Sequence, residues 1–240
     1  MKRSRLTISI TFALFALIAP AIAQVGAARV TDYGQAAVYY RAAAEQGDAV
    51  AENNLGVLYQ SGHGVSKNLK EAARWFRASA EQGNPAAQCN LASLLFFGHG
   101  VRRDYAEAAK WFRAAAEQNY SDGQLFLYFM YHRGYGVDSD FSEAAKWARR
   151  AADQGNSRAE TELGFLYEQG KGVPLDYVSA YKWYSLALQA GDKRSQARIE
   201  RLLRVMTGRQ ISEAEAIVAS RANQRAPTNS FVNSPGFPLF

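Results

Sequence analysis

AENNLGVLYQSGHGVSKNLKEAARWFRASAEQG, residues 51–83, returns as AETELGFLYEQGKGVPLDYVSAYKWYSLALQAG at residues 159–191, three periods of 36 residues later. The same register runs through the chain between them. Trp75, Trp111, Trp147 and Trp183 are all the tryptophans present, and each lies 36 residues from the next. Leu55, Leu91, Leu127 and Leu163 keep that spacing. So do the glycine pairs Gly62/Gly64, Gly98/Gly100, Gly134/Gly136 and Gly170/Gly172 and the valine after each pair. Ala72, Ala108, Ala144 and Ala180 precede the tryptophans by three. A fixed period of this length means stacked supersecondary units that share one continuous core. Four full repeats follow, at about 48–83, 84–119, 120–155 and 156–191. A leading half repeat at 33–47 has Tyr39 in the tryptophan position.

One repeat shows how the pattern folds. Asn84-Pro85 reads as a helix start, because asparagine caps and proline tolerates the first helical position. The run AAQCNLASLLFF follows, and Gly98 supplies the left-handed residue that ends a helix. Asp104 with Glu107 reads as a capping box for a second helix, matched by Asn68/Glu71 and Asp140/Glu143. In the fourth repeat the pair becomes Asp176/Ser179 and half the box is lost. Ala108, Trp111, Phe112 and Ala115 then form an apolar stripe at helical spacing. Each repeat is a helix, a glycine loop and an antiparallel helix, and no strand signal occurs. Gly56, Ala92 and Gly164 keep one first-helix position small, but the third repeat has Tyr128 there. That repeat also has Ala148 where Phe76, Phe112 and Tyr184 stand in the others. This is either a volume exchange or a looser joint.

The chain has 240 residues, 48% of them apolar, with a formal charge of +6. MKRSR, the apolar run Leu6–Ala19 and the Ala21-Ile22-Ala23 site form a secretory signal expected to be cleaved after Ala23. The apolar run is shorter than the ~20 residues of a spanning helix. An uncleaved anchor is the alternative. Lys2, Arg3 and Arg5 carry three of the positive charges, so the remainder is only mildly basic. Its lysines and arginines alternate with acids along the helices, which excludes an inference of nucleic-acid binding. Cys89 is the single cysteine and cannot form an internal disulfide. It reads as a small apolar side chain.

The pattern resembles the Sel-one-like repeat, a relative of the tetratricopeptide repeat. The match rests on the leucine, paired glycines, valine, alanine and tryptophan quoted above, over about two-thirds of the chain. The stretch MTGRQISEAEAIVAS, residues 206–220, resembles the closing helix of bacterial members. The resemblance implies an all-α, right-handed superhelical solenoid over 33–191, after a short linker at 24–32. It also implies capping helices at 192–222. The expected function is a periplasmic or secreted scaffold or regulator, with envelope signalling or exopolysaccharide control as candidate roles. A cysteine-rich subgroup described as β-lactamase-like has a disulfide in each repeat, and this chain lacks those cysteines.

Carrying over the tetratricopeptide geometry, the first helix of each repeat lines a concave groove. The groove-facing residues are then Asn53, Val57, Gln60, Cys89, Ser93, Phe96, Leu125, Phe129, His132, Thr161, Phe165 and Glu168. Apolar anchors inside a polar rim suit a peptide or helix of a partner protein. The opposing reading is that some of these side chains pack between neighbouring first helices. The tail at 223–240, with Phe231, Phe237 and Phe240 among prolines, has no helical period and is expected to be mobile. Its phenylalanines are a second candidate occupant of the groove.

No catalytic, cofactor or metal site is expected. GHGVSK and GKGVPL lack the GxxxxGK[ST] form of a phosphate loop, and turn geometry explains their recurrence. His63 and His99 take equivalent loop positions in neighbouring repeats. Helix spacing puts such positions about 10 Å apart, far beyond the ~2 Å bonds of a shared metal. Neither HExxH nor GxSxG occurs. The alternative functions are an envelope hydrolase acting on peptidoglycan or a β-lactam, and an exported effector that binds a host protein.

Overall fold

The computed structural model describes residues 32–222, with side chains through 220. The expected signal sequence, residues 24–31 of the linker and the tail from 223 lie outside the described residues. Among the described residues every regular element is an α-helix. The chain divides into two compact bodies, split between Gln82 and Gly83.

The first body holds α1 (Tyr33–Ala44), α2 (Ala49–Ser61) and α3 (Leu69–Glu81). Asp32, Asp48 and Asn68 cap these helices by accepting from backbone N–H groups two and three residues ahead. Ala44, Ala51, Leu55 and Trp75 form its core, with Tyr40 and Tyr59 against them. Two polar bonds link the ends of α2 and α3. The Ser79 hydroxyl donates to the Ala49 carbonyl at 2.5 Å, and the Gln82 amide donates to Glu52 at 2.7 Å.

The second body holds three helix pairs and a closing pair. These are α4 (Pro85–Phe97) with α5 (Tyr105–Glu117), α6 (Ser121–Arg133) with α7 (Phe141–Asp153), and α8 (Ser157–Gln169) with α9 (Tyr177–Gln189). Helices α10 (Arg194–Leu203) and α11 (Gly208–Ala222) follow. Both pack on α9. Helix α10 continues the first-helix pattern, since Ile199 and Leu202 stand 36 residues after Leu163 and Leu166 and are likewise buried. With Met206, Ala214, Ala180 and Tyr184 they close the core.

The repeated positions take repeated roles. Leu55, Leu91, Leu127 and Leu163 are fully buried, as are Ala72, Ala108, Ala144 and Ala180. Trp75, Trp147 and Trp183 are core residues, and Trp111 is half-buried. Gly62, Gly98, Gly134 and Gly170 end the first helices in the left-handed conformation, where each N–H bonds the carbonyl four residues back. The second glycine of the pair serves close approach. A Cβ on Gly64 would stand 2.0 Å from the Tyr33 carbonyl oxygen, and one on Gly136 2.2 Å from that of Tyr105.

Two details go beyond the reading of the sequence. Tyr59, Tyr131 and Tyr167 are polar links between helices. Each is half-buried and accepts a hydrogen bond at its hydroxyl from the preceding second helix, from Arg41, Arg113 and Arg149 respectively. The capping boxes also close on one side only in two repeats. Asn68 and Asp140 accept from the backbone as expected, but Glu71 and Glu143 turn outward to pair with Arg74 and Lys146. The N-cap N–H groups of Asn68 and Asp140 donate instead to the Tyr59 and Tyr131 carbonyls.

Candidate partner-binding surface

The first helices carry the twelve residues named above, and burial separates them. In the first body Asn53, Val57 and Gln60 are half-buried on α2. In the second body Cys89, Ser93, Phe96, Leu125 and Thr161 are buried, with 6% or less of their surface exposed. Phe129, His132, Phe165 and Glu168 remain half-buried.

Three of the buried five have identifiable covers. Phe96 is enclosed edge-on by Phe97, Tyr105 and Tyr135, with ring centroids 5.0–5.4 Å away. Cys89 lies beside Asp122 of the next first helix, and burial first, then that carboxylate, pushes its thiol well above the ordinary range. Thr161 lies under α10. Its hydroxyl is 3.0 Å from Asp192 and 2.8 Å from the buried Ser195 hydroxyl. Cys89 and Thr161 thus join neighbouring first helices, and Phe96 packs under aromatic rings of its own repeat and the next loop. The sequence-level expectation that the buried residues face a groove is corrected to that extent. The physical reason is that within the second body these side chains are covered by the following elements, so only part of the first-helix face stays open.

The open part is an aromatic and cationic surface on α6 and α8. Phe129 and Phe165 hold the same repeat position, one period apart. His132 meets Phe141 edge-on at 5.2 Å and lies 6.4 Å from Phe165. The Lys171 ammonium stands 5.4 Å from the Phe141 centroid and 5.7 Å from that of Phe165. On the other side the Arg198 guanidinium lies 4.9 Å from the Phe165 ring. Cations at these distances are attracted to the ring faces. Glu168 is engaged within the surface. It accepts from the Tyr184 hydroxyl at 2.6 Å and lies 3.6 and 3.7 Å from Arg198 and Arg201.

Electrostatics follow from this crowding. Burial, then Arg133 and Lys171, hold the His132 imidazole below its usual range, so the neutral ring is favoured. Both its ring nitrogens are buried without a hydrogen-bond partner. Burial and the bond to Glu168 raise the Tyr184 phenol.

Sequence reasoning missed Lys171, Phe141, Arg198 and Arg201. The signal for Lys171 was present. It stands between the paired glycines, where His63, His99 and Tyr135 stand in the other repeats. That residue packs on the start of the preceding second helix, as Tyr135 stacks on Tyr105 at 5.2 Å and His63 on Tyr33 at 4.7 Å. Among the described residues, no group of three or more His, Cys, Asp or Glu side chains could hold a metal ion. No helix there is long and apolar enough to cross a membrane.

Comparison with known proteins gives the family. The Sel1 repeat model matches residues 24–48, 49–84, 85–120, 123–156 and 157–192. The structure of c5321, a protective antigen of uropathogenic Escherichia coli displaying an SLR fold, is 34% identical with a TM-score of 0.70. That match covers 80% of this chain and 42% of the antigen. A Sel1 repeat protein from Oxalobacter formigenes is 34% identical with a TM-score of 0.66, over 71% of this chain and 50% of that one. The chain therefore spans half or less of the length of these two relatives. No curated protein matches it. Five matched segments, in step with helix pairs that repeat every 36 residues, show that this chain belongs to the Sel1 repeat family.

Proposed function

We propose that this chain is a non-catalytic interaction scaffold of the bacterial envelope, active in the periplasm or outside the cell, which holds a segment of a partner protein on the first-helix face of its second body. Sel1-repeat proteins are generally protein-interaction scaffolds, and the family is generally non-catalytic. The observation that carries the reading is the pair Phe129 and Phe165. They are half-exposed aromatic anchors at one repeat position, where the other repeats have Val57 and the buried Ser93. Anchors in register suit an extended or helical segment. Control of an envelope sensor or of exopolysaccharide export is the role we infer from the family resemblance together with the expected signal sequence, and the lack of a nucleophile motif favours a scaffold over a hydrolase.

The test is site-specific photocrosslinking in cells. A photoreactive residue at 129 or 165 is expected to yield discrete partner adducts, and one at the exposed second-helix residue Glu117 is not. Adducts from 117 alone, or equal adducts from all three positions, would overturn the surface assignment.

A further inference from the structure

We propose that the partner segment held beside Phe129 and Phe165 is acidic, with an aspartate or glutamate side chain placed against Lys171. This rests on the reading of that surface as a partner site and adds the chemistry of the partner.

The surface has an excess of cations that its own carboxylates do not neutralise. Among the described residues, no carboxylate lies within ion-pair distance of Lys171 or Arg133. Lys171 is half-buried and held over Phe141 and Phe165, contacts that position the ammonium without cancelling its charge. Glu168, from α8, is shared by Arg198, Arg201 and the Tyr184 hydroxyl. Glu162, also on α8, accepts from the Tyr128 hydroxyl at 2.8 Å. The loop after α8 therefore presents Lys171 beside a neutral His132 and two partly open rings. A carboxylate carried by the partner completes the ion pair, and an apolar side chain next to it covers the phenylalanines. Charge complementarity of this kind selects partners more than it adds affinity.

The test uses the full chain and a phage library of random 12-residue peptides. Enriched peptides are expected to combine Asp or Glu with an aromatic or aliphatic residue. Lys171→Gln is expected to weaken a synthetic acidic peptide about fivefold, the size of one partly exposed charge pair. It should leave the same peptide with Asn and Gln in place of the acids unchanged. The loop position carries His63, His99 and Tyr135 elsewhere, so the substitution keeps the fold. His132 provides an independent readout. Its imidazole NMR signal should titrate at a higher pH with the acidic peptide bound, because a nearby anion favours the charged ring. Neutral or basic peptides that lose binding with Phe129→Val and Phe165→Val but ignore Lys171→Gln would overturn the acidic-partner proposal and leave the surface assignment standing. Enrichment indifferent to both valine variants would overturn the surface itself. Tighter binding of a single-stranded oligonucleotide than of any acidic peptide, lost with Lys171→Gln, would replace the peptide with a nucleic acid.

Discussion

A β-carbon on Gly172 would stand 1.9 Å from the carbonyl oxygen of Phe141, so the loop of one repeat lies directly on the backbone that starts the second helix of the repeat before it. The paired glycines thus do two jobs. The first ends a helix, and the second lets neighbouring repeats touch.

Gly172→Ala is therefore expected to destabilise the fold strongly. Its φ is +68°, and the new methyl group meets backbone that cannot turn aside. Left-handed strain costs about 1–2 kcal/mol, and the clash adds to it, for a total of roughly 3 kcal/mol or more. Gly191 has a φ of +95° with nothing within 4 Å of its added Cβ. Gly191→Ala should lose only the strain, about 1–2 kcal/mol. Urea unfolding of the two variants checks the difference, and equal losses would reject the close-approach role.

The third repeat tests a volume exchange. A Cβ on Gly56 would meet the Phe76 ring at 2.6 Å, and one on Gly164 the Tyr184 ring at 2.7 Å, so these glycines make room for the aromatic ring. Tyr128 and Ala148 take the reversed sizes at those positions and are both buried. Tyr128→Gly should cost about 4 kcal/mol through the cavity and the helix glycine. Ala148→Phe should cost about 1–3 kcal/mol through overpacking. The double variant is expected to lose at least ~1 kcal/mol less than the two added together. Strict additivity in denaturation would show a loose joint instead.

His132 gives stability a pH dependence of known sign. Its folded pKa is depressed by burial, Arg133 and Lys171, so the unfolded chain takes up the proton first as pH falls. The contribution is complete above the unfolded value of about 6.5 and is lost as pH falls towards the folded one. Phe96 occupies the same repeat position, so His132→Phe should fold. Unfolding midpoints at several pH values between about 7.5 and 5 should fall more in wild type than in this variant. Asp122 and Glu52, whose pKa values are raised chiefly by burial, act with the opposite sign and are common to both proteins.

Cys89 should be silent towards thiol reagents in the native protein. It is 6% exposed, and burial with the Asp122 charge disfavours its thiolate, the reactive form. Labelling with an aromatic disulfide at about pH 8 is expected to proceed at the rate of unfolding and to become fast in urea. Rapid native labelling would place the thiol on an open face.

The fold was legible because its determinants are local and repeated. Leucine, tryptophan, paired glycines and cap residues recur at one period, and the caps and the first glycine of each pair act on backbone within their own helix pair. Which first-helix side chains stay accessible was legible only in part. Phe129, His132, Phe165 and Glu168 were found by position and remain accessible, but Phe96 and Leu125, chosen by the same rule, are buried. Phe96 and the half-buried His132 hold the same repeat position, so position alone does not separate them. The rings over Phe96 come from Phe97, Tyr105 and Tyr135, the last of them in the following repeat.

The sequence by itself determined the period, the helix pairs, the caps and the small positions, because these depend on backbone geometry and on contacts inside one helix pair, such as Gly56 with Phe76. The tertiary structure decided which first-helix side chains stay open and which charges meet. Thr161 is buried by Asp192 and Ser195, about thirty residues on, and Lys171 meets Phe141 at a similar distance along the chain. Such contacts form only when one repeat stacks on the next, so their outcome is a property of the stack.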